Sequence, residues 1–281
     1  MGAAGDVRGY GIQYIKKLHK EIQDSTDAMH SLSDGLGSIQ NKIKQSTKQG
    51  LIVSDETGID SALETMQSAM ENAQNTNTAM PGFEFTANQQ PINQAWVTST
   101  QVNFCALAYP AVPSDHEDAA KLSVLGACLR NGFLHSSIRE KGGAYGGGAT
   151  YNAEASAFVF YSYRDPRLLE TYADFKRAKE WLMSSEATQA KVDEAILNVI
   201  SSMDKPGSPA GEMKKAFFQD LYGRTHDIRM AYRLGVISTT IQELREMADK
   251  YLTTENTSSA VLTNTGGAEL LADSEFEIIT L

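Results

Sequence analysis

Cysteine is scarce in this 281-residue chain, and both long apolar runs and an excess of basic residues are missing. The only two cysteines, Cys105 and Cys128, each sit in an apolar run with no second cysteine nearby. That excludes a disulfide scaffold and a cysteine metal pair, and it reads as two buried thiols in a reducing compartment. No stretch approaches the roughly 18 to 20 apolar residues a helix needs to cross a bilayer. The first residues lead into a charged segment, so no secretory signal is read, and Asp6 stands where a myristoylation motif wants Ser or Thr. Lysine plus arginine total 25 against 35 acids, a net charge of −10 that gives no electrostatic grip on a phosphate backbone. Nucleic acid and membrane are therefore not expected partners. The acidity favours cationic ligands such as basic peptides, and it also keeps ordinary proteins in solution. Phosphate-loop, dinucleotide and nucleophile-elbow motifs are missing. His19, His30, His116, His135 and His226 form neither an H-E-x-x-H nor an H-x-x-E-H pair, so no metal site is read within the chain.

What remains is an ordinary globular balance, 41% hydrophobic and 21% charged, at a length that suggests about two folded units. Ile12, Ile15, Leu18 and Ile22 recur at helical spacing, followed by a short strand over 50–54 and a helix over 58–71. These pieces hold too few apolar residues for a core. Residues 1–75 therefore read as the C-terminal part of a preceding domain, 76–91 as an amide-rich linker and 92–281 as a second domain. The second domain opens with two strands, around Trp96 and over 102–109, expected to pair. A helix carrying Leu122, Leu125, Leu129 and Phe133 is expected to end near Gly132. A hairpin ending in Ala157–Tyr163 follows. Asp165 and Pro166 are read as the cap and first turn of a helix bearing Tyr172 and Phe175. A helix over about 210–222 and a capping box at Thr240 and Glu243 come next, before a final strand over 259–264. This order predicts an α+β fold with a mostly antiparallel sheet packed against helices.

One segment departs from ordinary composition: five of the seven residues from Gly142 to Gly148 are glycine, with Arg139 just before and Tyr145 inside. Glycine is tolerated at such density where backbone must approach backbone or adopt positive φ. Arg139 offers five donors and Tyr145 a hydroxyl on a rigid ring, so together they suit a carbonyl oxygen that develops negative charge. A flexible hairpin with a surface arginine and a core tyrosine fits the same composition.

The run Arg-Glu-Lys-Gly-Gly-Ala-Tyr-Gly-Gly-Gly over 139–148, with Phe-Tyr-Ser-Tyr-Arg-Asp-Pro-Arg over 160–167, resembles the presequence-protease branch of the pitrilysin and insulysin zinc metallopeptidases. The resemblance implies four homologous α+β domains enclosing unstructured peptides, with residues 1–75 ending the third and 92–281 forming the fourth, non-zinc-binding domain. It implies that zinc and its H-x-x-E-H helix belong to an N-terminal half outside this chain, and that this half and an unstructured peptide are the partners. Arg139 and Tyr145 are the implied catalytic residues, while Gly142, Gly143, Gly146 and Gly147 would let the hairpin approach the peptide. The family suits an organelle matrix, a bacterial cytoplasm or a periplasm. Two other readings stay open: a non-catalytic member resembling the core subunits of respiratory complexes, and a free-standing peptide-binding module.

Overall fold

A computed structural model describes residues 11–71 and 90–281. All but the last two residues of the expected linker, 76–91, lie outside the described residues. The described chain divides into two compact units, residues 90–205 with 224–281 and residues 11–71 with 206–223. The element order is α1 (Ile12–Asp24), α2 (Thr26–Gln45), α3 (Ile59–Glu71), β1 (Asn93–Val97), β2 (Asn103–Pro110) and α4 (Ala119–Leu129). A π-helical continuation (Arg130–Lys141) leads to β3 (Gly146–Asn152), β4 (Ala157–Asp165), α5 (Leu169–Met183), α6 (Gln189–Met203) and α7 (Pro209–Leu221). The chain ends with α8 (His226–Ile237), α9 (Ile241–Tyr251), β5 (Ser258–Thr263), α10 (Thr265–Leu270) and β6 (Glu277–Thr280).

Helices α1, α2, α3 and α7 belong to one unit. No residue of α2 is buried, and Ile15, Leu36, Ile39 and Ile43 are exposed, so amphipathic spacing here makes helix without making core. The short strand expected over 50–54 is irregular, and α2 lies where the sequence reading drew no element. None of the helices is long and apolar enough to cross a membrane among the described residues.

The other unit is built on a six-stranded sheet in the order β3-β4-β2-β5-β1-β6. Three of its five pairings are antiparallel, while β1 runs parallel to both β5 and β6. The α+β class and the mostly antiparallel sheet are as expected. The expected pairing of the first two strands is not: β5 is inserted between β1 and β2. Alternation decides which face of a strand is buried, and that constraint leaves its neighbour open. Buried polar bonds fix the insertion, since Thr263 Oγ1 donates to Asn103 Oδ1 (2.6 Å) and Asn103 Nδ2 donates to the Asp165 carbonyl (3.2 Å).

Alternate residues of the central strands, Cys105, Leu107, Phe158, Phe160 and Val261, are buried. They share one core with α4, whose Leu122, Val124, Leu125 and Leu129 are inaccessible to solvent. Because α4 is apolar on every side, it lies inside the helix layer, with β3 on one side and α6, α8 and α9 on the other. The opposite sheet face carries Phe104, Tyr161 and Tyr163, of which Phe104 and Tyr163 are exposed.

Helix ends show where local signals hold. Thr240 and Glu243 form the expected capping box at α9. Asp165, expected as the α5 cap, instead ends β4: its carboxylate accepts from Arg167 N (2.9 Å) and Thr171 Oγ1 (2.7 Å), and α5 begins later, at Leu169. Asp118, just before α4, accepts from Lys250 Nζ and Tyr251 Oη, both at 2.6 Å. Desolvation raises its pKa, but these hydrogen bonds outweigh it and hold the carboxyl below its ordinary value of 3.8. A depressed native pKa contributes stability above the unfolded value that is lost as pH falls through the folded one. Asp118→Asn is expected to lower the melting temperature at pH 7, with the difference from the natural protein shrinking towards pH 3; thermal unfolding across that range checks it.

Candidate active site

The helix expected to stop near Gly132 continues to Lys141, with Leu134 and Ile138 buried. Gly132 is small for a packing reason: a Cβ there would lie 2.2 Å from the Trp181 ring. The continuation is π-helical, a rare geometry that is frequent at functional sites. The wider turn shows in the sequence as a spacing of five between Leu129 and Leu134.

Arg139 therefore stands in the last turn of a helix, ahead of the reversal into β3. Gly143 adopts φ +79°, its N–H donates to the Arg139 carbonyl (3.0 Å), and Ala144 N–H donates to the Ile138 carbonyl (3.1 Å). This is a glycine C-cap closure of the Schellman type, widened by one residue as a π-helix requires. It reverses the chain within a few residues and delivers Tyr145 directly to β3. Arg139 and Tyr145 thus flank one chain reversal. Both side chains are exposed, Tyr145 to 63%, and no hydrogen bond joins them. Among the described residues the Arg139 guanidinium makes no hydrogen bond or ion pair, so its five donors are unpaired.

Tyr145 is held more firmly than Arg139. Its N–H donates to the Arg164 carbonyl (3.3 Å), its ring packs on Tyr163 (5.6 Å between centroids), and the Arg164 guanidinium lies 5.5 Å from its ring centre. These partners come from a β-bulge. Asn103 faces Asp165 and Cys105 faces Ser162, so Tyr163 and Arg164 together oppose Phe104. Arg164 takes φ +49°, a left-handed conformation that costs a side-chain-bearing residue roughly 1–2 kcal/mol. Bulges re-aim side chains, and this one turns Arg164 towards Tyr145. Sequence reasoning missed both Tyr163 and Arg164. The available signal was a pair of tyrosines two apart on one strand face, just ahead of Asp165 and Pro166.

Three of the four glycines named from the sequence are explained by contacts within the chain, and Gly143 by its positive φ. A Cβ on Gly142 would lie 2.0 Å from Arg167 Nη2 and 2.4 Å from the Ile138 carbonyl. On Gly146 it would meet the Tyr163 hydroxyl at 2.5 Å, and on Gly147 it would meet Ile138 Cγ2 at 2.8 Å. Gly146 and Gly147 belong to a paired strand, and they let β3 lie against the helical segment and under the Tyr163 ring.

The residues present do not fit a zinc ion. Val124, Leu125, Cys128 and Leu129 of α4 are buried among apolar side chains. Burial pushes the Cys105 thiol up to about 12 and the Cys128 thiol up to about 11, keeping both protonated and poor as ligands. No cluster of three His, Cys, Asp or Glu side chains suited to a metal occurs among the described residues.

Residues 93–264 match the family model described as the PreP C-terminal domain. The chain belongs to that family. It is 28% identical over 258 residues to the mitochondrial presequence protease of Saccharomyces cerevisiae, covering 89% of this chain and 26% of the relative. The chain thus spans about a quarter of that relative's length. Its fold is that of a Helicobacter pylori protease (TM-score 0.59, 17% identity, 73% of this chain and 52% of that one). It also matches pitrilysin (TM-score 0.51, 15% identity, 79% of this chain and 25% of that one). The resemblance drawn from Arg139–Gly148 therefore holds for family and fold.

The closure makes a graded prediction. Gly142→Ala forces a Cβ against a carbonyl and a guanidinium, and is expected to cost about 1–3 kcal/mol as an overpacked site. Gly143→Ala meets only Pro166, at 3.6 Å, and is expected to cost about 1–2 kcal/mol for its left-handed backbone. Denaturant unfolding of the two variants measures both.

Proposed function

We propose that this chain is the substrate-positioning, C-terminal portion of a zinc-dependent endopeptidase that degrades unstructured peptides such as presequences. Arg139 and Tyr145 are its donors to the peptide carbonyl under attack. The observation that carries this reading is the glycine closure, which places an unpaired guanidinium and an exposed, buttressed phenol on either side of one short chain reversal. A carbonyl carbon under attack passes negative charge to its oxygen. A donor fixed in advance at that oxygen is worth roughly 2.7–4 kcal/mol in well-studied enzymes. Tyr145 is suited to this because Tyr163 and Arg164 restrict its ring while leaving it exposed. Gly142, Gly143, Gly146 and Gly147 act by holding that geometry and keeping side chains out of the approach.

The metal, the attacking water and the general base belong, on this reading, to the N-terminal half of the same polypeptide, which is this chain's partner together with the peptide. The yeast relative's mitochondrial designation supports an organelle matrix as the compartment.

Two outcomes are expected. In the full-length enzyme, Tyr145→Phe and Arg139→Ala lower kcat more than they raise KM, because both donors act on charge that develops only in the transition state. Unchanged turnover in both variants would remove them from the site. The 281-residue chain alone leaves an unstructured peptide intact; chelator-sensitive cleavage by the purified chain, followed by mass spectrometry, would overturn the division of labour.

A further inference from the structure

Between the π-helical segment and α5 lies a cavity of about 400 Å³, outside the Arg139–Tyr145 site. Its size falls in the ordinary range for small-ligand pockets, roughly 300–1,000 Å³.

Its chemistry differs from one end to the other. At one end Asp174, fully buried, pairs with Arg177 Nη2 and with Arg167 Nη2 (3.0 Å). Arg167 Nη2 also donates to the Ser137 carbonyl (3.1 Å). These bonds occupy one nitrogen of the Arg167 guanidinium. Its Nε is buried without a partner, while Nη1 makes no hydrogen bond and remains accessible. Lys141, on the same wall, pairs with no acid among the described residues. Asp174 balances only one of these three cations, so this end carries excess positive charge. Towards the other end, Glu180 and Glu186 line the wall, and neither carboxylate has an ion-pair partner among the described residues. Phe133 stacks on the buried Trp181 ring at 6.1 Å and 25°, and Lys191 Nζ lies 5.0 Å from the centre of that ring, so half-buried Phe133 is the apolar group this wall offers.

Two glycines make this arrangement possible. Gly132 admits the Trp181 ring against the helix backbone, and Gly142 admits the Arg167 guanidinium. Asp174 and Glu180 are six residues apart on α5, about 9 Å at 1.5 Å per residue. An extended tripeptide spans roughly 10 Å.

We infer that this cavity binds short zwitterionic peptides of about three residues. The carboxylate lies at Arg167 Nη1 and Lys141, the ammonium lies towards Glu180 and Glu186, and an apolar side chain rests on Phe133. Such peptides are of the class that peptide cleavage releases, yet the inference stands on the cavity alone and needs no role for Arg139 or Tyr145.

Calorimetric titration of the 281-residue chain with the tripeptide Ala-Phe-Ala tests it. Saturable binding is expected with free ends, weakened about tenfold by N-acetylation or C-amidation and by replacing the central Phe with Gly. Lys141→Ala and Glu186→Gln each weaken binding several-fold while circular dichroism and melting temperature stay unchanged. Equal binding of the doubly blocked peptide, no effect of either variant, or no saturation up to about 10 mM would overturn the proposal. The readout is binding to this chain, so it is independent of turnover in the full-length enzyme.

Discussion

Two backbone hydrogen bonds at the end of the π-helical segment, Gly143 to Arg139 and Ala144 to Ile138, set the geometry on which the candidate site depends. They exist because Gly143 can adopt positive φ and because Gly142 has no Cβ to strike Arg167 or the Ile138 carbonyl. With them formed, a helix pointing along one side of β3 turns back into β3 itself. Arg139 lies in the last turn before that reversal, and Tyr145 follows it directly. Without them the two residues would be joined by a loop with no fixed direction.

Order at this point is obtained against local preference. Arg164 sits in the left-handed region, where a side-chain-bearing residue is strained, and it does so beside Tyr145. Strained backbone of this kind persists when the surroundings over-determine it, and it concentrates at functional positions. The surroundings here are the paired strands β2 and β4 on both sides of the bulge and the Asn103 and Asp165 hydrogen bonds just beyond it. The same short stretch supplies Arg167 to the neighbouring cavity. One β-bulge and the turn after it thus shape both the candidate site and the neighbouring cavity.

The helix layer provides the rigidity. Nine of the eleven residues of α4 are buried, and the π-helical segment continues directly from it. The candidate site is consequently anchored to the centre of the core rather than to a mobile connection. The glycines of β3 belong to this packing, since they let strand and helix approach more closely than any side chain would permit.

The sequence alone determined the family, the α+β class, the glycine-rich segment as the position of interest and most of the helices after it. Each of these is a local property, readable from periodicity, capping residues or a contiguous motif. Where the chain at Gly132 keeps going, where β5 enters the sheet and how Arg164 comes to lie over Tyr145 were decided by the tertiary structure. Gly132 looked like a stop because only the fold brings Trp181 against it. Strands β1 and β2 looked like partners because only the long-range Asn103–Thr263 contact shows what lies between them. A bulge depends on the register of a strand pair, and register is a relation between distant residues that no single stretch of sequence carries.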